Sequence, residues 1–274
     1  MKDDKGRVHR ERGLYGLFLR IWGAFRRTEL FKSIYMSDYP YNRRTQVLAV
    51  MNNLFLHLHP NRVTRYSINY RYTLGLGGLS FGMFLILAIT GVFLMFYYVP
   101  SVPDAYFSVR ALGTDVFMGQ FFRNLHRWTA HVMVLLVFLH MLRVFYTGGY
   151  KGTRKFNWVI GVVLFVLTLL LSFTGYLLPF DQLAYWAITV GVRMGGSSPI
   201  IGDQVRILLL GSHDIGQATI VRWYTLHVLF LPAIGFWLML LHFWRVRKDG
   251  FSATRPILVE DHPVLGPVKE EARG

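Results

Sequence analysis

The chain has 274 residues, of which 53% are hydrophobic and only 16% are charged. A soluble domain usually carries about a quarter charged residues, so this composition, with a mean hydropathy of +0.34, indicates a membrane protein. The net charge of +15 excludes little by itself, but the basic residues flank apolar segments, so nucleic acid is not an expected partner. The absence of cysteine excludes disulfides, Cys-ligated metals and any cofactor attached through a thioether.

The N-terminal 72 residues carry 14 Lys and Arg residues and one short apolar run, residues 14–25, which Arg20 interrupts. The run is too short to cross a bilayer and has no small-residue cleavage site, so it is not expected to be a signal peptide. We predict instead an amphipathic helix that lies on the membrane surface. It belongs to an N-terminal extension, residues 1–72.

Four apolar stretches are long enough to cross about 30 Å of hydrocarbon. We name them span A (residues 74–99), span B (121–146), span C (156–178) and span D (223–244). They predict an all-α membrane protein whose four-transmembrane-helix bundle occupies residues 73–250, followed by a tail, residues 251–274. The C–D connection, residues 179–221, contains DQLAYWAITVGV and DQVRILLL, which predict short interfacial helices.

Basic residues predict the orientation of the bundle. The B–C connection and the region after span D are rich in them (Lys151, Arg154 and Lys155; Arg245, Arg247, Lys248 and Arg255). The A–B and C–D connections carry few (Arg110; Arg193 and Arg206). Because positive loops stay on the cytoplasmic side, we expect both termini and the B–C connection to face that side.

Five of the ten histidines lie within the spans: His126, His131 and His140 on span B, and His227 and His242 on span D. His126 and His140 are 14 residues apart, which returns to within roughly 40° of the same helix face about 21 Å away. His227 and His242 are 15 apart, within roughly 60°, and a kink at Pro232 could absorb the extra residue.

Spans B and D run in the same direction, since exactly one span separates them. The histidines therefore form two layers: layer 1 (His126 and His227), expected near the outer side, and layer 2 (His140 and His242), expected near the inner side. Two facing neutral imidazoles are the axial ligands of a six-coordinate haem. A single membrane histidine is as readily explained by an inter-helix hydrogen bond, but two matched layers favour two haems. His131 fits neither layer and is expected to have a packing role.

Glycine repeats the same spacing on the other two spans. Gly77 and Gly91 on span A, and Gly161 and Gly175 on span C, are each 14 residues apart. Glycine leaves room for a bulky group between helices, although it is also common in membrane helices. Arg123, Arg127 and Arg143 flank the histidines of span B; they could pair with haem propionates or extend to the lipid headgroups.

These motifs resemble cytochrome b of quinol–cytochrome c oxidoreductases, most closely the short four-helix cytochrome b6 form. The resemblance is carried by HRW (126–128), LHMLRVFYTGGYK (139–151), TGYLLPFDQLAYWA (174–187) and LHVLFLPAIGFWLMLLHFWRVRKDGFS (226–252). It implies a low-potential haem b in layer 1 and a high-potential haem b in layer 2, both non-covalent. It also implies propionate contacts for Arg123 and Arg127, and a place for Arg247 and the N-terminal region near the quinone-reduction side.

The resemblance further implies that one wall of the quinol-oxidation site lies between residues 176 and 187. The wall residues are Tyr176, Pro179, Phe180, Tyr185, Trp186 and Ala187. The chain departs from the cytochrome b6 pattern in two ways. Gly75 stands where cytochrome b6 has the cysteine of a covalent third haem. The N-terminal extension is also longer than in the cytochrome b6 form. The family's Pro-Glu-Trp-Tyr motif does not occur, so that motif is expected on a separate subunit-IV-like chain.

The implied function is bifurcated oxidation of menaquinol, plastoquinol or ubiquinol. One electron goes through a Rieske iron–sulfur protein to a c-type cytochrome or a plastocyanin-like acceptor, and the other crosses the membrane through this chain. The expected setting is a dimeric complex in a prokaryotic cytoplasmic membrane or an energy-transducing internal membrane. Two alternatives are a di-haem membrane anchor of a quinone-linked dehydrogenase or hydrogenase, and a haem-free transporter that uses histidines for protons.

Overall fold

The computed structural model describes residues 14–28, 31, 42–52 and 69–251. All regular structure in these residues is helical. The chain divides into two compact units, Met1–Arg62 and Val63–Gly274. Much of the predicted N-terminal extension and almost all of the predicted tail, residues 251–274, lie outside the described residues.

The first unit contains two described helices, α1 (Leu14–Arg26) and α2 (Arg43–Asn52). Apolar side chains on α1 are exposed, and Phe18 stacks on Trp22 with ring centroids 6.5 Å apart. The amphipathic segment predicted at residues 14–25 is therefore helical, and its place on a membrane surface stays a prediction.

The second unit contains all four predicted spans as helices long and apolar enough to cross a membrane. Span A is Leu76–Met95, span B is Gly119–Tyr146, span C is Gly152–Leu177 with a 3₁₀ first turn, and span D is Gln217–Asp249. Span A packs on span B, span B on span C, and span C on span D. The rings of Phe81 and Phe243, 5.3 Å apart, join spans A and D, so the predicted four-helix membrane bundle is confirmed.

Span D is longer than predicted and is not a uniform α-helix. It consists of an α-helix at Gln217–Thr225, a π-helical turn at Leu226–Phe230 and an α-helix at Leu231–Asp249. A π turn holds one more residue than an α turn. Pro232 directly follows the π turn, in the first turn of the last part, and because proline has no N–H it interrupts the helical hydrogen-bond ladder there.

Four shorter helices connect or precede the spans: α3 (Tyr70–Thr73), α4 (Asp104–Thr114), α5 (Gln182–Gly196) and α6 (Gly202–Leu210). The segments DQLAYWAITVGV and DQVRILLL form helices α5 and α6, and their place at the membrane interface stays a prediction. These two helices close over the end of span C and the start of span D around a small apolar core (Leu177, Ala184, Ile188, Val192, Leu210 and Trp223).

The turn between span C and α5 is set by three consecutive residues. Pro179 cannot continue the helix of span C because it has no N–H to donate. Phe180 adopts a left-handed backbone conformation with φ of 48°, and Asp181 then caps α5 by accepting a 2.9 Å hydrogen bond from the Ala184 N–H. This turn brings the apolar face of α5 against the end of span C.

At the opposite end of the bundle, Arg245 of span D contacts the start of span C. Arg245 and Asp249 lie 2.7 Å apart on successive turns of span D. Arg245 also donates to the Thr153 carbonyl at 3.3 Å and lies over the Phe156 ring. The start of span C is thus tied to the last turns of span D by a hydrogen bond and by the contact of the guanidinium with the ring.

Replacement of the α5 cap tests the turn. Asp181→Ala removes the acceptor for the Ala184 N–H, and loss of such a cap costs about 0.5–2 kcal/mol. We expect a lower thermal unfolding midpoint for the purified protein in detergent, measured by circular dichroism. Asp181→Asn keeps an acceptor oxygen and should unfold near the wild-type temperature. Equal midpoints for Asp181→Ala and wild type would contradict this account of the turn.

Candidate functional site

The two histidines of layer 1 face one another across the bundle interior. The ring centroids of His126 and His227 are 6.3 Å apart, and the ring planes are 71° apart. An imidazole nitrogen bonds a transition metal at about 2.0–2.1 Å, so two imidazoles on opposite sides of one metal have ring centres about 6 Å apart. The spacing of layer 1 therefore suits two axial ligands of a single metal.

Layer 2 brings together the other two histidines of the spacing argument. His140 and His242 lie close enough to interact electrostatically. His131, by contrast, is exposed on the outer face of span B, where its ring meets the edge of Trp128 at 5.7 Å. The structure thus brings together the members of each predicted pair and leaves His131 outside both.

The π turn explains the unequal histidine spacings. The histidines of span B are 14 positions apart and those of span D are 15 positions apart, and the π turn at Leu226–Phe230 contains His227 itself. It takes up one residue over the turn, so both pairs are brought into register. The sequence suggested a kink at Pro232; the extra residue is absorbed in the turn just before that proline.

Each histidine ring lies against one glycine of the predicted repeat. A Cβ built on Gly91 would lie 3.3 Å from Cε1 of His126, and one on Gly77 would lie 3.3 Å from Cε1 of His140. On span C, a Cβ at Gly175 would lie 2.6 Å from Cε1 of His227, and one at Gly161 would lie 3.8 Å from Cε1 of His242. Glycine on spans A and C therefore lets the imidazoles of spans B and D approach a neighbouring backbone directly.

Two threonines that the sequence did not single out orient the rings of layer 1. Thr90 Oγ1 lies 2.8 Å from His126 Nδ1, and Thr174 Oγ1 lies 3.0 Å from His227 Nδ1. The Thr90 hydroxyl donates its proton to the Ile86 carbonyl at 2.7 Å, and the Thr174 hydroxyl donates to the Leu171 carbonyl at 3.1 Å. Each hydroxyl therefore accepts from Nδ1–H, which leaves Nε2 of each ring with a lone pair for a metal.

The donor set suits a haem better than an isolated metal ion. Across the described part of the chain, no group of three or more His, Cys, Asp or Glu side chains could hold a metal ion. Each layer therefore offers two imidazoles, and haem supplies the remaining four ligands from its own ring. The paired nitrogens, the glycine-lined approaches and the apolar surroundings fit two haem groups.

The arginines named with the histidines occupy different environments. Arg123 and Arg143 are partly buried, Arg127 is exposed, and Arg247 is partly buried near the end of span D. Pairing of Arg123, Arg127 and Arg143 with propionates, and the place of Arg247 near the quinone-reduction side, stay predictions.

The six residues named for a quinol-oxidation wall separate into two groups. Phe180 and Ala187 pack against the core of the C–D connection, and Pro179 is partly buried beside them. The other three are exposed: Tyr176, Tyr185 and Trp186. A cavity of about 340 Å³ lies deeper, between spans C and D and helices α5 and α6, and Thr174, Ile188 and Trp223 are among its lining residues.

Tyr98 fixes the segment beside this wall. Its hydroxyl donates a 2.7 Å hydrogen bond to the carbonyl of Leu178, and its ring stacks on Tyr224 of span D with centroids 5.3 Å apart. Burial, with a smaller contribution from Tyr224, raises the pKa of Tyr98 well above its ordinary value. The phenol therefore stays protonated and keeps the connection after span A tied to the end of span C.

Comparisons with known proteins agree with this architecture. Residues 61–250 match the family model described as cytochrome b/b6/petB. The chain is 44% identical over 194 residues to cytochrome b6 of Heliobacterium modesticaldum. The matched region covers 71% of this chain and 89% of the relative. This chain is 46% identical over 177 residues to the menaquinol:cytochrome c reductase cytochrome b subunit of Bacillus subtilis. That match covers 64% of this chain and 79% of the relative.

A solved structure has the same fold. A chain described as hyperthermophilic respiratory Complex III matches with a TM-score of 0.65 and 25% identity, covering 82% of this chain. This chain spans 57% of the length of that one. The family match covers both histidine layers, the four glycines and the two threonines, so this chain belongs to the cytochrome b/b6 family of haem b proteins.

Proposed function

We propose that the chain is the di-haem cytochrome b subunit of a bc/b6f-type quinol:cytochrome c oxidoreductase. One non-covalent haem b would be held in each layer, by His126 and His227 in layer 1 and by His140 and His242 in layer 2. The observation that carries the proposal is the pair of imidazoles 6.3 Å apart, each against a glycine of a neighbouring span. The Bacillus relative, whose name describes a menaquinol:cytochrome c reductase subunit, supports the assignment of the reaction.

The chain's own residues would hold the two layers at a fixed separation. When bound, each haem supplies a reversible one-electron Fe(III)/Fe(II) couple. Fourteen residues of α-helix span about 21 Å, so the two layers lie at different depths of a bilayer about 30 Å thick. Spans B and D thereby provide an electron path across much of the membrane.

We place quinol oxidation beside layer 1. The 340 Å³ cavity is lined mainly by apolar side chains and reaches Thr174, which is hydrogen-bonded to His227. Trp223 lines the cavity, and its indole Nε1 is buried and forms no hydrogen bond to the described residues. An apolar ring carrying oxygen groups suits such a cavity, because the indole can donate to one oxygen.

The remaining parts of the reaction are assigned to partners. A separate subunit carrying Pro-Glu-Trp-Tyr would complete the quinol-oxidation site, a Rieske protein would take the first electron, and a c-type cytochrome would accept it. We also propose that both termini face the cytoplasmic side, with α1 lying in the membrane surface and its Arg20 and Arg26 near the headgroups. Nothing in the chain can form a thioether, since it has no cysteine.

Single histidine substitutions test the ligand pairing. His126→Ala and His227→Ala should each remove the same haem, and His140→Ala and His242→Ala should each remove the other, because both histidines of a layer would hold its haem. The measurement is haem content per chain together with an optical redox titration of the purified membrane protein. His131→Ala is the matched control and should keep both components. Loss of different haems from His126→Ala and His227→Ala would refute the pairing.

Glycine substitutions on span C give a graded test. In Gly175→Ala the new methyl group meets the His227 ring at 2.6 Å, and such overpacking costs about 1–3 kcal/mol. We expect a reduced content of the haem of layer 1. In Gly161→Ala the methyl group lies 3.8 Å from the His242 ring, an ordinary contact, so the smaller loss is expected in layer 2. Greater haem loss in Gly161→Ala than in Gly175→Ala would contradict the geometry.

A further inference from the structure

The two layers differ in the residue that precedes each glycine. In layer 1 that residue is a threonine on both supporting spans, Thr90 before Gly91 and Thr174 before Gly175. In layer 2 it is an aliphatic residue, Leu76 before Gly77 and Ile160 before Gly161. Each residue of layer 2 lies 14 positions before its counterpart on the same span, so the four positions are equivalent in register.

All four side chains are buried at these equivalent positions. Thr90 and Thr174 are 2% and 1% exposed, and Leu76 and Ile160 are 6% and 5% exposed. Each threonine Oγ1 lies within hydrogen-bond distance of a histidine Nδ1. Because the hydroxyl proton goes to a carbonyl of its own helix, the oxygen accepts from Nδ1–H. Leucine and isoleucine offer no acceptor, and neither His140 Nδ1 nor His242 Nδ1 has a hydrogen-bond partner among the described residues.

Main-chain carbonyls also approach the histidine rings, and they do so in both layers. A backbone carbonyl interacts with three of the four rings, two in layer 1 and one in layer 2: Leu87 with His126, Leu171 with His227, and Asn157 with His242. The contact at His242 leaves Nδ1 of that ring without a hydrogen-bond partner among the described residues. Carbonyl contacts occur in both layers, whereas hydroxyl acceptors occur only in layer 1.

We infer that Thr90 and Thr174 are positioning residues that lower the reduction potential in layer 1 relative to layer 2. This inference rests on the proposed haem ligation. An N–H donated to an oxygen raises the basicity of the ligating imidazole, and a more basic ligand stabilises the ferric over the ferrous state. Hydrogen bonding beyond the ligands is one of the ways a protein sets haem potential. Two such bonds act on layer 1, and none of this kind acts on layer 2.

The inferred difference has a direction that suits the proposed electron path. An electron moves spontaneously from the couple of lower potential to the couple of higher potential. Layer 1, beside the cavity proposed for quinol oxidation, has the hydroxyl acceptors, and layer 2 lacks them. The threonines thus favour transfer away from layer 1.

The experiment is an anaerobic optical redox titration of the purified complex with four single variants. Thr90→Val and Thr174→Val remove the hydroxyl with little change in volume, and both should move the midpoint of the same haem component to more positive potential. Leu76→Thr and Ile160→Thr introduce a hydroxyl at the equivalent positions, and both should move the other component to more negative potential. The threonine-to-valine pair identifies the redox component of layer 1, and the pair that introduces threonine identifies the component of layer 2.

Conservative variants separate a hydrogen-bonding role from a packing role. Thr90→Ser and Thr174→Ser keep the acceptor, so each should leave the midpoint closer to wild type than the corresponding valine does. If a valine variant loses its haem, the serine variants and the two layer 2 variants still test the inference. Midpoints that stay unchanged, or move equally in both components, overturn it while leaving haem binding intact. Absence of haem from the wild-type protein overturns the proposed function as well.

Discussion

The direct contact between an imidazole ring and a glycine backbone is the constraint on which the bundle depends. Four such contacts join spans A to B and C to D, and a methyl group at Gly175 would already collide with His227. A ring held this closely cannot turn away, so its nitrogen stays directed into the interior. The same closeness explains why spans with so few charged residues are packed in a defined register. In lipid, contacts between apolar side chains alone favour one helix register over another only weakly.

The ring orientations in layer 1 are further fixed by two threonines. Each threonine hydroxyl makes two hydrogen bonds, one to its own helix and one to a histidine. In each case the hydroxyl proton goes to a carbonyl of its own helix, and the oxygen receives Nδ1–H of the facing histidine. Back-bonding to the helix leaves no buried hydroxyl proton unsatisfied, and acceptance from Nδ1–H fixes the ring's tautomer. Layer 2 uses glycine contacts without this second restraint. The two layers are therefore alike in ligands and different in their surroundings.

Much of this could be predicted from the sequence, because span length and a 14-residue repeat are one-dimensional signals. The four spans, the members of each layer and the glycine repeat on spans A and C all followed from counting, whereas the glycine that faces each histidine is seen only in the structure. Membership of the cytochrome b/b6 family also sets aside the haem-free transporter. Thr90 and Thr174 were missed, since a lone threonine in an apolar helix ordinarily bonds to its own backbone. In the sequence, these two threonines are distinguished by standing directly before Gly91 and Gly175, the glycines of layer 1. The exposure of Tyr176, Tyr185 and Trp186 could not be predicted either, because it depends on how α5 folds over span C.

The π turn shows why register has to be argued in three dimensions. In the sequence, the two histidines of span D are one residue further apart than those of span B. A kink at Pro232 was the predicted way to absorb that residue. The extra residue is instead taken up within Leu226–Phe230, so the helix beyond it continues regularly to His242. A π turn is less stable than an α turn and persists where something outside the helix requires it. In span D the π turn offsets the one-residue difference between the 15-residue spacing of His227 and His242 and the 14-residue spacing of His126 and His140. The irregularity in span D is thus the local consequence of keeping two layers aligned across the whole bundle.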